Sequence, residues 1–288
     1  ELLRSNLILF LPPLILAYLI PTALALAGLY IFAPILIAAA NSPAPLSVLG
    51  SGVLVAIAVI IILAVIAYAY VLAGWAAMNK NTALNGKTVF NDFWSGTRMY
   101  FGRILGGIVI LAVIYIVLVI LGIVATFAVL LPLIIRFIPS AFPLVPPGYP
   151  VVPDISQIIA AVGNTIGVWL IVVTLAGLVF LFTVFWVQSA ALDDVGAFGA
   201  LGRSISFVKN NFVTTLGIAA LYIIATGFSG AIFPGGGGGG GGGAPTGGYG
   251  FSLVIPAPLE AIFRLLITTF FMLYMFVVYA DKKEKARS

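Results

Sequence analysis

The chain has no cysteine and no histidine among its 288 residues. The lack of cysteine excludes disulfide bonds and thiolate chemistry, and the lack of both residues excludes most zinc sites and imidazole-ligated haem. Without histidine, the chain also lacks the side chain best suited to proton transfer near neutral pH. We predict no catalytic residue, no cofactor and no metal site, and the few carboxylates do not change this expectation.

Charge is also scarce: only 7% of the residues are charged, whereas 62% are hydrophobic. No soluble domain of this size would tolerate that composition. The net charge of +5 is too small and too scattered for nucleic acid, because no stripe of lysine and arginine is interleaved with stacking aromatic residues. In a membrane protein, a basic excess usually indicates contact with anionic lipid headgroups.

Six long apolar stretches dominate the chain. A bilayer core about 30 Å thick requires roughly 20 apolar residues in a helix. The stretches are continuously apolar and lack the alternation of a membrane β-barrel, so each is expected to be a helix with internal backbone hydrogen bonds. We predict an all-α, polytopic helical membrane protein with one integral membrane domain, residues 1–288, and the spans Leu14–Ala39, Val53–Ala77, Ile104–Leu131, Ile155–Val187, Phe212–Phe233 and Leu259–Ala280.

The distribution of lysine and arginine among the connections predicts the orientation. Eleven of the 13 basic residues fall on one side of the predicted membrane, and only Arg136 and Arg264 fall on the other. The positive-inside rule then predicts a plasma-membrane protein with both termini in the cytoplasm. Of the outer loops, residues 132–154 are rich in proline, and another contains the run Gly235–Gly243. No Lys-Ser/Thr follows these glycines, as a phosphate-binding loop requires, so we interpret them as a flexible linker.

Two cytoplasmic segments show the periodicity of amphipathic helices. From Val195 to Phe212, apolar residues recur at spacings of three and four, and residues 89–104 follow a similar pattern. We expect both helices to lie in the membrane interface. Asp194 is the expected N-cap of the second helix, and Lys209 suits its C-terminus. The basic residues of the two segments are expected to contact lipid headgroups: Arg98, Arg103, Arg203 and Lys209.

The segments that precede the spans also resemble one another. Arg4-Ser5-Asn6-Leu7 stands before the first span much as Lys209-Asn210-Asn211-Phe212 stands before the fifth. The pattern suggests a threefold repeat, in which each unit is a basic interfacial helix followed by a helical hairpin. The predicted units are residues 1–78, 79–189 and 190–288.

One segment carries a resemblance to a known group of proteins. In Arg203-Ser204-Ile205-Ser206-Phe207-Val208-Lys209-Asn210-Asn211-Phe212, a basic residue, a serine, a second basic residue and an asparagine share one interfacial helix. With the spans around it, this segment resembles uncharacterised prokaryotic six-helix membrane proteins, for which we expect an archaeal source. That group is similar to the membrane domain of glycerophosphodiester phosphodiesterases. The resemblance implies the fold but no catalytic residue, because the activity of that family resides in a separate soluble domain, which we expect this chain to lack.

The charged residues offer few candidate sites. None lies at the middle of a predicted span, which argues against a proton or sodium relay. Glu260 and Arg264 stand four residues apart at the outer start of the last span and are expected to form an external ion pair. The alternative is an anion or substrate gate that also includes Arg136 and Asp154.

For the acidic residues Asp92, Asp193 and Asp194, helix capping is favoured over a magnesium–diphosphate site. The second acidic group that such a site needs at a fixed spacing is absent. The pairs Gly102/Gly106 and Gly163/Gly167 are expected to let helices pack closely within the bundle, with a dimer interface as the alternative.

The leading functional hypothesis is a non-enzymatic membrane protein: an accessory, scaffold or lipid-organising subunit of a membrane complex. Its expected partners are membrane lipids, together with other subunits or a second copy of the chain, and not nucleic acid. One alternative is a transporter or channel for a small apolar or zwitterionic solute, since internal repeats are common in transporters. The other is a lipid-headgroup-modifying enzyme that uses Asp92, Asp193 and Asp194.

Overall fold

The computed structural model describes residues 2–41, 45–141, 155–232 and 257–285. About 94% of these residues are helical and none of them lies in a strand, which confirms the predicted all-α class. The α-helices are α1 Leu2–Ser5, α2 Leu11–Leu14, α3 Ile20–Ala40, α4 Pro45–Asn85, α5 Phe90–Ala141, α6 Ile155–Thr183, α7 Trp186–Leu192, α8 Ala197–Asn210, α9 Phe212–Ile232 and α10 Ala257–Lys285. Residues 132–141 of the predicted proline-rich loop belong to helix α5, so that part of the loop prediction is wrong. The rest of that loop and the glycine run lie outside the described residues.

Several helical segments are long and apolar enough to cross a membrane. In the described part of the chain there are five: Leu7–Ala40, Gly52–Asn85, Phe90–Pro132, Ile155–Leu192 and Ile262–Lys285. The fifth predicted stretch, Phe212–Phe233, joins this set only if α8 and α9 are counted as one bent span, because the two helices meet at an angle of 101°. Five to six such helices are compatible with a multi-pass membrane protein.

The first of these segments starts irregularly because of its prolines. A 3₁₀ turn at Leu7–Phe10 leads into α2, whose first positions hold Pro12 and Pro13, and a π-helical turn at Ile15–Leu19 follows. Pro21 then stands at the beginning of α3. A proline has no N–H to donate, and its ring crowds the carbonyl one turn before it. The widened π turn lies where that crowding would occur.

Asn6 joins the N-terminal segment to the loop between α4 and α5. Its buried side chain donates from Nδ2 to the carbonyl of Gly86 at 2.9 Å and accepts from the backbone N–H of Thr88 at 2.8 Å. Gly86 has a φ of 73°, a conformation that favours glycine. Asn6 and Asn211 share a φ of −130°, with ψ of 48° and 36°, and each occupies a one-residue break between helices. The threefold repeat itself stays a prediction.

The two segments with amphipathic periodicity differ in their continuity. The first is the beginning of α5, which runs without a break from Phe90 to Ala141. The second is α8, a separate helix that ends at Asn210, where Lys209 lies in the last turn as expected. One face of α8 is buried through Ala200, Leu201, Ser204 and Val208.

The chain divides into two compact units, Glu1–Ile108 with Phe185–Ser288, and Val109–Val184. The core of the first unit combines side chains from four helices: Ala69, Leu72, Ala73, Trp75, Ala76 and Ala77 of α4, Tyr100 and Ile104 of α5, Val187 and Ala191 of α7, and Met272 and Phe276 of α10. In the second unit, the hydroxyl of Tyr115 on α5 donates to the carbonyl of Ala176 on α6 at 3.5 Å.

The closest helix contacts do not occur at the glycine pairs singled out from the sequence. A Cβ added at Gly102, Gly163 or Gly167 would meet no atom within 4 Å, so the predicted close packing is wrong there. Only Gly106 approaches a neighbour, at 3.0 Å from the Cβ of Ala197. The tight crossing lies elsewhere, at Gly96, where an added Cβ would overlap that of Ala77 on α4. Glycine permits close approach, but the line along which two helices cross decides which glycine is used.

Candidate functional site

The connection between α7 and α8 turns sharply at two consecutive aspartates. Asp193 is the C-cap residue of α7, and Asp194 has a φ of 59°, a left-handed conformation that aspartate adopts more readily than most residues. Gly196 is the N-cap of α8, which has no side-chain cap. The predicted capping role of Asp194 is therefore wrong. Its carboxylate instead forms an ion pair with Arg103 of α5, at 2.6 Å from Nη1.

The carboxylate of Asp193 is the centre of the site. Its side chain is only 3% exposed. One oxygen pairs with the ammonium of Lys283. The other accepts hydrogen bonds from the hydroxyls of Tyr279 at 2.6 Å and Ser189 at 3.2 Å, and lies 3.3 Å from Nη1 of Arg203.

These contacts decide the ionisation state of Asp193. Burial alone would raise the pKa of its carboxyl, but the hydrogen bonds from Lys283 and Tyr279, the charge of Lys283 and the hydrogen bond from Arg203 together lower it below the ordinary value. Asp193 is therefore an anion at neutral pH, held between cations from α8 and α10.

Aromatic packing fixes the helices around this carboxylate. The rings of Phe207 on α8 and Tyr279 on α10 stack with centroids 4.6 Å apart, and Phe185 lies 4.7 Å from Phe207. The hydroxyl of Ser204 accepts the backbone N–H of Phe185 at 3.2 Å. Because α8 and α10 are joined in this way, the charged groups they present are held in place before any ligand arrives.

A cavity of about 430 Å³ opens beside Asp193. Its charged lining consists of Arg203, Lys282 and Lys283 opposite Asp193, so three cations face one carboxylate and the net charge is +2. Side chains of Ser206 and Asn210 add neutral polar groups. A concave surface with this charge attracts anions and repels metal ions.

Further basic residues surround the same connection. Lys80 of α4 donates to the carbonyl of Ala191 at 2.7 Å and to the hydroxyl of Tyr100 at 2.9 Å. The guanidinium of Arg103 lies 5.7 Å from the centre of the Tyr100 ring, within the range of a cation–π contact. Cations from α4, α5, α8 and α10 thus converge on the end of α7 and the residues that connect it to α8.

The four predicted headgroup-contact residues occupy different surroundings. Arg203 lines the cavity and Arg103 is paired with Asp194. Arg98 and Lys209 are exposed, and neither makes an ion pair or hydrogen bond with a described residue. Contact with lipid stays a prediction for all four.

The structure describes the side chain of one member of the predicted external ion pair, Arg264. Arg264 is exposed near the beginning of α10, and its carbonyl accepts from Thr268 at 2.8 Å. The side chains of Glu260 and Arg136, and all of Asp154, lie outside the described residues. Both the ion pair and the alternative gate therefore stay predictions.

The third acidic residue singled out from the sequence does cap a helix. The carboxylate of Asp92 accepts the backbone N–H of Val89 at 2.8 Å and the hydroxyl of Thr88 at 2.9 Å, directly before α5. This arrangement is the reciprocal half of a capping box, and it confirms the capping prediction for Asp92.

Sequence reasoning missed Tyr279, Lys282 and Lys283 as members of the site. They belong to α10, about 90 positions from the aspartates. The signal that could have found them is charge, because the two aspartates and the lysines at the end of α10 lie on the same predicted side of the membrane. The spacing of residues within a motif does not indicate which distant helix will supply such partners.

The geometry defines a class of protein: an all-α chain with apolar helices of membrane-spanning length and, at the ends of some of them, a cavity of positive net charge. Among the described residues, no three acidic side chains are grouped so as to hold a metal ion. The chain matches no protein-family model, no curated protein and no solved structure. The resemblance to the membrane domain of glycerophosphodiester phosphodiesterases stays a prediction.

Proposed function

We propose that the protein is a non-enzymatic, multi-pass membrane protein that organises anionic lipid at its basic end, as an accessory or scaffold subunit of a membrane complex. The observation that carries this proposal is the convergence of cations from four helices on the end of α7 and its connection to α8. Positive groups at helix ends suit the headgroup layer of a bilayer with anionic lipids.

The apolar surface supports the membrane part of the proposal. Large apolar side chains along the long helices are exposed, among them Leu54 at 70%, Ile61 at 56% and Leu170 at 63%. Exposed apolar surface on this scale requires lipid or another protein to cover it. In the proposed orientation the basic end faces the cytoplasm, and α8 lies at the interface with Arg203 and Lys209 exposed.

The carboxylates support a non-enzymatic role. Asp92 caps α5, Asp194 pairs with Arg103, and Asp193 is saturated by its four partners. A lipid-modifying enzyme would need at least one carboxylate that can reach a substrate or a metal ion, and these three are already engaged within the fold.

The test is the lipid preference of the purified protein. We expect thermal stability to be higher in nanodiscs of phosphatidylglycerol than in nanodiscs of phosphatidylcholine, and the difference to shrink with added salt, because salt screens exposed charges. Replacing Arg98 and Lys209 by glutamine should reduce the preference. Replacing Arg264, near the opposite end of α10, should leave it unchanged.

A protein with equal stability in both lipids would contradict the proposal. So would the passage of a solute through proteoliposomes that depends on the protein, which would favour the transporter hypothesis. Mass spectrometry of the material that co-purifies in mild detergent would identify the partner subunits that an accessory role requires.

A further inference from the structure

The carboxylate of Asp193 is a counter-ion for the cations that line the cavity beside it. The carboxylate of Asp193 is engaged with Lys283, Arg203 and two hydroxyls, so it has no capacity for another cation. It holds two positive side chains together at the edge of the cavity. The remaining net charge of +2 is therefore available to a ligand.

Several donors in the cavity are not used by the fold. The side-chain ammonium of Lys282 and the side-chain amide of Asn210 make no hydrogen bond with a described residue. Arg203 is half-exposed, and only Nη1 of its guanidinium approaches Asp193, at 3.3 Å. Ammonium, guanidinium and amide donors around one point are the groups that bind phosphate oxygens, and arginine and lysine do so most strongly.

The dimensions of the cavity restrict the ligand. About 430 Å³ is enough for a small polar headgroup but not for lipid chains as well. The stacked rings of Phe207 and Tyr279 line the cavity, and from Tyr279 α10 continues towards its apolar part. A lipid whose headgroup occupied the cavity would keep its chains beside the apolar helices.

We propose that this cavity is a selective site for a phosphate monoester group on a lipid headgroup, bound by Lys282 and Arg203. A phosphate monoester carries a charge of about −1.5 to −2 at neutral pH, which matches the net charge of the cavity better than the single charge of a phosphodiester. This inference rests on the proposed function, since it requires the basic end to lie at the depth of the headgroups.

The test uses the full chain in vesicles or nanodiscs of phosphatidylcholine that contain either phosphatidic acid, a monoester, or phosphatidylglycerol, a diester. Bound lipid is counted by native mass spectrometry, and affinity is measured by titration. We expect one phosphatidic acid to be retained more tightly than phosphatidylglycerol. Lys282→Ala should weaken this binding about tenfold, equivalent to about 1.4 kcal/mol, without unfolding the protein, because Lys282 has no partner among the described residues.

The matched control removes charge outside the cavity. Arg98→Ala with Lys209→Ala eliminates two cations and should change the affinity for phosphatidic acid less than twofold. If Lys282→Ala binds phosphatidic acid as tightly as the unmodified chain does, the proposed phosphate site is wrong, even if the protein still prefers anionic lipids to phosphatidylcholine. Absence of any anionic preference overturns the proposed function as well.

Inorganic phosphate distinguishes the two sources of the phosphate group. If millimolar phosphate alone stabilises the protein through Lys282 and displaces phosphatidic acid, the ligand is free phosphate and the lipid assignment is overturned. If phosphate has no effect while phosphatidic acid binds with the expected dependence on Lys282, the lipid headgroup is supported.

Discussion

Replacing Asp193 by asparagine is the most direct test of the charge arrangement. The carboxylate is 3% exposed, whereas Lys283 and Arg203 are 26% and 52% exposed. Removing one partner of a fully buried ion pair costs about 3–5 kcal/mol. Because both cations can still reach solvent, we expect a smaller loss of about 2–3 kcal/mol in the free energy of unfolding.

The neighbouring residue supplies a matched control. Asp194 is 52% exposed and pairs with Arg103, which is 29% exposed. Asp194→Asn should therefore cost less than about 1 kcal/mol, and asparagine tolerates the positive φ of this position. Both variants can be compared by unfolding in the same mild detergent, followed by circular dichroism.

A double-mutant cycle isolates the interaction of Asp193 with α10. Lys283→Met should cost clearly less on the Asp193→Asn background than on its own, because the charge pair is already broken there. A coupling energy between about 1 and 3 kcal/mol is expected for residues in direct contact. Equal losses for Asp193→Asn and Asp194→Asn, or a coupling energy indistinguishable from zero, would refute the reasoning.

Three further predictions concern acid stability and packing. The pKa of Asp193 is below its ordinary value of 3.8, so the stabilisation that its carboxylate provides is complete above that value and is lost as the pH falls through the lowered pKa. The free energy of unfolding of Asp193→Asn should therefore depend less on pH below about pH 4 than that of the unmodified chain. An acid profile unchanged by the substitution would contradict this. Gly96→Ala should lower the free energy of unfolding by about 1–3 kcal/mol, because the added methyl group overlaps Ala77. Gly102→Ala should leave the stability unchanged or raise it slightly. Thermal unfolding in detergent measures both variants, and equal effects would contradict a close helix crossing at Gly96. Gln188 is 1% exposed and its Oε1 has no hydrogen-bond partner in the described structure, so Gln188→Met should stabilise the protein by about 1–2 kcal/mol; a lower unfolding temperature would show that the amide is needed.

The long helices could be predicted because their cause is local. Runs of apolar residues such as Val53–Ala77 exceed the length needed to cross a bilayer, and the structure has helices at all six predicted stretches. The cap formed by Asp92 is local as well, since its partners lie three and four residues before it.

The site could be predicted only in part because its causes are not local. The charge of Arg203 made it a candidate in the sequence. Its pairing with Asp193, and the presence of the cations of α10 beside them, follow only from the tertiary packing of the helices. The role of Asp194 was missed for a conformational reason. An N-cap has an extended backbone, whereas Asp194 adopts a positive φ, and the sequence pattern of acidic residues before a helix does not distinguish the two.

The separation of Asp193 from its partners has a consequence for the order of events during synthesis. Tyr279 and Lys283 follow it by 86 and 90 residues. At about 5–20 residues per second, these partners are added roughly 4 to 20 seconds after the aspartate. Until then, only Ser189 and Arg203 are present to contact the carboxylate, and α7 and α8 lack their contacts with α10. The contacts of Asp193 with Tyr279 and Lys283 can therefore form only after α10 has been synthesised and has packed in place. A chain interrupted before that point leaves the Asp193 carboxylate without the two partners that α10 supplies.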